Sequence, residues 1–532
     1  MNPIRWSAQL RGVLWLAALA VSAGLIGAQQ APSIAVAPSK LAKIGTVSPR
    51  YLSYSIDMAT ITGGRPFDPT RLRNEAQGAN RPTTPAQSHE QFGASHSAGQ
   101  YRPPIDLSNP RLRKLAEALS PAYLRISGTS RNSTYFQDDD KSALTQPPPG
   151  FGNILTRAEW KGVIDFSRAA GDEIVTSFSI SPGTRDANGV WTPKQAEEVF
   201  NYTRQIGATI AATEFMNEPS FAEIGGAPKG YDAADFARDA KIFAAFLRKE
   251  SPKTIFLGPG SVGEGVSLVP PGSKIAFIHT EDMMKATGPI FDAFSYHFYG
   301  TVAHRCMGSL TVGKSMSAEW LDRTNIAEAF YAAQRDKYLP GKPLWITETS
   351  QAGCGGDEFA GQFVDSFRYL NQLGTLAQKG VKVVVHQTLI GSNYGFVNAQ
   401  TQQPVPNYWA AVLWKRTMGT TVLGIIGPPR SSTRIYAQCM KGTRGGVTLL
   451  ALNTSGKDEQ PLTIPLAADR YTLTAADLTS PNVLLNGTEL QAGSDGSLPV
   501  IKGQHVSTGT LQLAPLSITF LTMPTARNKS CM

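Results

Sequence analysis

Cysteine and histidine are scarce in this sequence: four and seven among 532 residues. No two cysteines stand as C-x-x-C and no H-E-x-x-H occurs, so the usual ligand spacings of a zinc site are missing. Neither a metal nor any other cofactor is expected. No dense Lys/Arg stripe with interleaved aromatics is present, which argues against nucleic acid as a partner. Beyond residue 28 no apolar run approaches the length of a membrane span. Two short motifs fall away as well. "GPGSVG" at 258–263 has the G-x-G-x-x-G spacing, but Pro270 and Pro271 follow where a helix should open. The same stretch fails as a nucleophile elbow, because Pro259 stands where G-x-S-x-G needs its first glycine.

The N-terminus carries Arg5 and Arg11, then "VLWLAALAVSAGLIGA" with small residues at its end. This reads as an export signal over 1–28, removed near Ala28; the alternative is an uncleaved anchor. The expectation is a secreted or periplasmic protein with no membrane association after cleavage. In that compartment Cys306, Cys354, Cys439 and Cys531 can oxidise, with three pairings open. The net charge of +9, or +7 without Arg5 and Arg11, suits acidic polysaccharides, although it also serves solubility. Five N-x-S/T triplets occur, at Asn132, Asn201, Asn453, Asn486 and Asn528.

Eight short apolar runs follow one another: Tyr51–Asp57, Tyr123–Ser127, Glu173–Ile180, Ile210–Met216, Thr254–Leu257, Ala293–His297, Leu344–Thr347 and Val381–Gln387. Between them lie segments such as "AADFARDAKIFAAFLRKE" whose apolar residues recur every three or four positions. Eight strands alternating with helices predict an α/β fold, a (β/α)₈ barrel over 51–415, with an open doubly wound sheet as the alternative. A polar insertion at 61–106 leaves the end of the first strand, long enough to act as a lid. From about residue 416 to 532 the runs become short and are punctuated by Gly, Pro, Asn and Asp, which predicts a C-terminal antiparallel β-sandwich.

In such a barrel the chemistry sits at the C-terminal ends of the strands. Glu218, in "TEFMNEPS", follows the fourth strand, and Glu348, in "LWITETSQAGCGG", ends the seventh, so the two face each other across the mouth. A glycosidase needs such a pair, one carboxyl to protonate the leaving oxygen and one to attack the anomeric carbon or activate water. The Asn-Glu-Pro triplet alone is only a turn signal. Asp57, Thr129, His297, Tyr299, Gln387 and Tyr394 fall at other strand ends and suit a sugar ring. Glu214 shares strand parity with Met216 and Glu218 if the alternation continues that far. Lying one layer deeper, Glu214 needs a partner, and Arg125 on the second strand is the candidate.

The ordered set "LSPAYLRISGT", "FMNEPS", "ITETSQAGCGG" and "NYWAAVLWKRTMGTTVL" resembles glycoside hydrolase family 79, the heparanase and β-glucuronidase family of the retaining (β/α)₈ clan, over nearly the whole mature chain. The resemblance implies Glu218 as general acid/base and Glu348 as nucleophile, with Asn217 on the sugar 2-hydroxyl and Tyr299 orienting Glu348. It also implies Asp57 and Thr129 on the glucuronic acid ring, amides of Gly355 and Gly356 receiving its carboxylate, and Gln387 and Tyr394 as further contacts. Ser127-Gly128-Thr129 stands where heparanase has Gly-Gly-Thr. The resemblance further implies a Cys439–Cys531 bond in the sandwich and an N-terminal strand, within 29–50, packing on it; a Cys306–Cys354 bond could brace the loop after Glu348. The activity expected is exo-β-glucuronidase, favoured by the insertion as a lid. The alternatives are an endo-acting heparanase-like enzyme, a clan relative acting on neutral sugars, or a degenerate polysaccharide-binding barrel. The expected partner is a carbohydrate containing glucuronic acid. The oligomeric state is not legible.

Overall fold

In the computed structural model the chain is described over residues 33–64, 103–269, 272–425 and 432–532. The export signal and most of the 61–106 insertion lie outside the described residues. Eight parallel strands close into a barrel: β1 (Leu52–Asp57), β2 (Tyr123–Ser127), β3 (Glu173–Thr176), β4 (Ile210–Glu214), β5 (Ile255–Ser261), β6 (Ala293–Tyr299), β7 (Leu344–Ser350) and β8 (Val383–His386). Each pairs with the next, and β8 pairs with β1, so the open-sheet alternative is excluded. Three strands, β5, β6 and β7, run further than their apolar runs. β5 and β7 end in Ser261 and Ser350, buried polar residues that erase the hydrophobic signal while the backbone ladder continues, and β6 runs on through Phe298 and Tyr299 beyond the buried polar His297. β3 and β4 stop early, at Thr176 and Glu214. Strand parity therefore does not carry through Met216 to Glu218. No helix opens after "GPGSVG": its first four residues end β5, and the next described helix begins only at Thr280.

The helices between strands obey local rules. Thr156 caps Arg157–Ala170 in a reciprocal box with Glu159, and Gly171 ends it with a left-handed φ of 76°. Trp160, Val163 and Ile164 form its buried face. Helix Phe363–Gln378 is buried on all sides over 363–377, because the barrel covers one side and the sandwich the other. Tyr51 donates its hydroxyl to Leu373 O over 2.6 Å, and Tyr436 of the sandwich donates to Asn371 Oδ1 over 2.7 Å. Gly374 is required there: a Cβ would lie 2.3 Å from the Tyr436 ring.

The C-terminal residues form antiparallel sheets. Strand Val447–Asn453 is buried along its whole length. Val447, Leu449 and Ala451 point into the sandwich, while Leu450 and Leu452 join the barrel-side core, as a period-two strand between two layers must. Ile34–Ala35 pairs in parallel with Leu462–Thr463, and Lys43–Thr46 pairs antiparallel with Met418–Leu423, so the N-terminal segment is woven into this module. Cys439 and Cys531 are joined by a disulfide. Among the described residues no helix is long and apolar enough to cross a membrane.

Candidate active site

Glu348 sits near the end of β7, in register with His297 on β6. Tyr299 donates its hydroxyl to Glu348 Oε1 over 2.5 Å, and Arg125 Nη1 donates to Oε2 over 2.7 Å. Burial alone would raise the Glu348 carboxyl. The charges of His297 and Arg125 and the Tyr299 hydroxyl outweigh it and hold the carboxyl below the ordinary Glu value. The same burial, together with the Glu348 charge, pushes the Tyr299 phenol well above its usual range, so it stays a donor.

One layer deeper, Glu214 is 1% exposed and takes the other edge of Arg125: Nε at 3.1 Å and Nη2 at 2.8 Å, both to Oε2. Ser295 and Thr347 donate to its Oε1 over 2.9 and 2.6 Å. Burial would raise this carboxyl too, but Arg125 and His297 pull it well below the usual range. The pairing of Arg125 with Glu214 was legible in the sequence; its reach to Glu348 was not.

Glu218 is held differently. β4 ends four residues before it, and Glu218 itself has φ 47° and ψ 63°, the left-handed region that a non-glycine residue rarely enters. Pro219 disfavours the right-handed helical region for the residue before it. Asn132 fixes the approach: its Oδ1 accepts from Asn217 N and its Nδ2 donates to Asn217 O, each over 2.8 Å. Asn132 is fully buried, so its N-x-S/T triplet marks a backbone clamp and not a glycan acceptor. The Asn217 amide oxygen accepts from Arg125 Nη2 over 2.9 Å. His297 Nδ1 lies 3.1 Å from Glu218 Oε1. Burial alone would lower the His297 pKa, but the Glu348 charge and contacts with Glu214 and Glu218 raise it to about 9.

His297 Nδ1 and one oxygen each of Glu218 and Glu348 lie within 4.8 Å of one another, a spacing that could cage a cation. The Arg125 guanidinium already neutralises Glu348 and would repel a dication, so these residues fit a metal poorly.

The remaining candidates line the same mouth. Asp57 Oδ1 accepts from Ala59 N over 2.9 Å, capping the turn Met58–Ile61, and Gln387 Nε2 lies 3.5 Å from Oδ2. Burial raises the Asp57 carboxyl to about 6, helped by Glu348 and opposed by the Ala59 amide. Gly128 is obligatory: at φ 96° a Cβ would stand 2.3 Å from Asp57 Oδ2. Thr129 opens the 3₁₀ turn behind it, half-buried. Ser55 donates to Gln387 Oε1. The loop after β7 is closed by a Cys306–Cys354 disulfide. Gly355 and Gly356 both have left-handed φ, 83° and 78°. A Cβ on Gly355 would meet Arg305 Nη2 at 1.9 Å, and one on Gly356 would meet the Tyr394 ring at 2.7 Å. Arg305 thus covers the glycine loop, a placement no sequence motif signalled. His386 donates to Tyr394 O over 2.8 Å, and Asn393 donates to Gly356 O over 3.1 Å, tying the β8 loop to the β7 loop.

A family model described as glycosyl hydrolase family 79, N-terminal domain, matches residues 103–374, and the chain belongs to that family. It is 26% identical over 480 residues to a hyaluronoglucuronidase from Hirudo nipponia, covering 80% of this chain and 92% of the relative. To heparanase from Mus musculus it is 26% identical over 489 residues, covering 80% and 88%. Among solved structures, a GH51 arabinofuranosidase from Xanthomonas axonopodis pv. citri superposes with a TM-score of 0.60 at 15% identity, covering 92% and 98%, a likeness of fold alone. The chain is a glycoside hydrolase of the heparanase and hyaluronoglucuronidase type.

Proposed function

We propose that this enzyme cleaves β-linked glucuronic acid with retention of configuration. Glu348 attacks the anomeric carbon while Glu218 gives its proton to the leaving oxygen. Glu218 then takes a proton from the water that opens the glycosyl ester on Glu348. The observation that carries this reading is the close approach of the two carboxylates, whose nearest oxygens lie within 4.8 Å of each other. Retaining pairs stand roughly 5–5.5 Å apart, and inverting pairs roughly 6.5–9.5 Å, to leave room for a water. The lowered Glu348 carboxyl supports its part as the ionised nucleophile.

Asn217 is assigned to the 2-hydroxyl, and Asp57, Thr129 and Gln387 to the ring. The substrate carboxylate goes to the Gly355 and Gly356 amides, with Arg305 and Tyr394 beside them. Two consecutive left-handed glycines, with the Arg305 guanidinium reaching over them from the loop after β6, support that assignment. The long polar segment between β1 and β2 favours release of a terminal residue. An internal cut in a polymer is the second reading, favoured by the names of the relatives, heparanase and hyaluronoglucuronidase. Two disulfides and the apolar N-terminal run support an extracytoplasmic site of action.

The test compares hydrolysis of aryl β-glucuronide, β-glucoside and β-xyloside, with the anomer first released followed by NMR. Turnover of the glucuronide with β-product first is the expected result. A preference for either neutral glycoside, or α-product first, overturns the reading. Sizing the products from heparan sulfate and hyaluronan separates terminal release from internal cutting.

A further inference from the structure

Resting on that reading, we infer that the leaving-group side of the site takes an uncharged aglycone with a flat apolar face, held against Phe221 and Phe277. Glu218, as proton donor, must touch the leaving oxygen, so whatever is built onto the far side of Glu218 meets the leaving group. The chain passes from Glu218 straight into the 3₁₀ turn Pro219–Phe221. The segment after β5 is sewn onto that turn: Ile278 N donates to Ser220 O over 3.0 Å, and Val262 N to Ser220 Oγ over 3.2 Å. This brings the Phe277 ring edge-to-face against Phe221, centroids 5.1 Å apart, with both rings half-buried. Leu268 and Phe277 each lie 3.6 Å from where a Cβ on Gly263 would stand. Phe221 and Leu268 pack against Val262, Tyr299, Ala360 and Tyr394. Tyr299 holds Glu348, so the apolar wall begins at the reacting centre.

Charge points the same way. The stretches 219–231 and 262–279 contain no arginine, and their lysines are Lys229 and Lys274, both exposed. Their acids are Glu223 and Glu264, and His279 Nδ1 is already turned to Glu264 at 3.0 Å. A sulfated sugar would call for arginines or several lysines converging on it. Two aromatic rings and a leucine instead offer dispersion and ring contacts to an apolar face.

The experiment measures kcat/KM of the full enzyme on benzyl and methyl β-glucuronides, whose leaving alkoxides are similarly basic, and on a glucuronide of N,6-sulfated glucosamine. Benzyl over methyl by about ten-fold is expected, the scale of one good aromatic contact. The sulfated compound should rank below methyl. Phe221→Ala and Phe277→Ala should each collapse the benzyl-to-methyl ratio through KM, while Phe277→Tyr keeps it. A wild-type ratio near one, a preference for the sulfated compound, or a ratio unmoved in both alanine variants overturns the proposal. The wild-type comparison decides even if a variant fails to fold. Turnover of no glucuronide sinks the glucuronidase reading instead; the same ratio is then read on benzyl and methyl forms of whichever glycoside is cleaved.

Discussion

Arg125 donates to Glu348 Oε2 over 2.7 Å with the same guanidinium whose other edge is held by Glu214. One cation is thus divided between two buried carboxylates at different depths. Glu214 tempers how strongly Arg125 stabilises Glu348. Glu214→Gln should leave a folded enzyme whose Arg125 charge falls wholly on Glu348, weakening it as a nucleophile. We expect kcat to fall about ten- to hundred-fold, on the order of 1.4–2.7 kcal/mol of barrier. Glu214→Ala also leaves the Nε edge of the buried guanidinium without its carboxylate and should cost about 3–5 kcal/mol in urea unfolding. An unchanged kcat in the Gln variant would remove Glu214 from the account of the site.

Glu348→Ala and Glu218→Ala should each lower turnover of a glucuronide by at least about 10²–10⁴-fold. Azide distinguishes their roles. In the Glu348 variant azide can take the vacated nucleophile position and give the α-glycosyl azide. In the Glu218 variant azide attacks the glycosyl ester on Glu348 and gives the β-azide. The reverse pattern, or full activity in either variant, contradicts the assignment.

How much of this was legible beforehand differs residue by residue. Glu218 and Glu348 could be placed at one mouth because eight apolar runs counted out eight strands, and strand number fixes position around a barrel. Arg125 and Glu214 could be paired because a buried carboxylate has to find a cation. The strand ends were not legible where Ser261 and Ser350 continue the ladder with polar groups, since hydrophobic periodicity reports burial against apolar neighbours and not hydrogen bonding. The left-handed turn at Glu218 was hidden for a related reason. It depends on Asn132, 85 residues away, gripping both backbone groups of Asn217, and no local pattern records a clamp at that separation. Arg305 went unseen because its place over Gly355 depends on two loops meeting above the barrel.

The Cys306–Cys354 bond ties the residue next to Arg305 to the residue next to Gly355. Opening it in a Cys306→Ser, Cys354→Ser double variant should free the two loops to separate. Substrate capture suffers more than chemistry, because Glu348 is held from below by Arg125 and Tyr299. We expect KM for a glucuronide to rise several-fold with kcat little changed, and about 2–4 kcal/mol of stability to be lost. Steady-state kinetics with and without reductant on the wild type, set against the double variant, measure this. A fall confined to kcat would show that the bond supports Glu348 and not the glycine loop.

His297 gives the fold a pH dependence of known sign. Its pKa is raised to about 9, against about 6.5 for an unfolded histidine, so the folded state holds the proton more tightly. The stabilisation is therefore complete below about pH 6.5 and is lost as pH climbs through 9, with a ceiling on the order of 3 kcal/mol. Lys415 tilts the other way over the same range: burial lowers it to about 7, so its unfavourable contribution is relieved as pH rises. The net slope of the wild type mixes the two. The difference between wild type and His297→Gln does not, since Lys415 is common to both. Urea midpoints taken from pH 6 to pH 10 should show the wild-type advantage over the variant shrinking steadily across pH 6.5–9. A constant gap across that window would mean that His297 does not hold its proton in the folded enzyme, and that its contact with Glu218 is one between a neutral imidazole and the carboxyl.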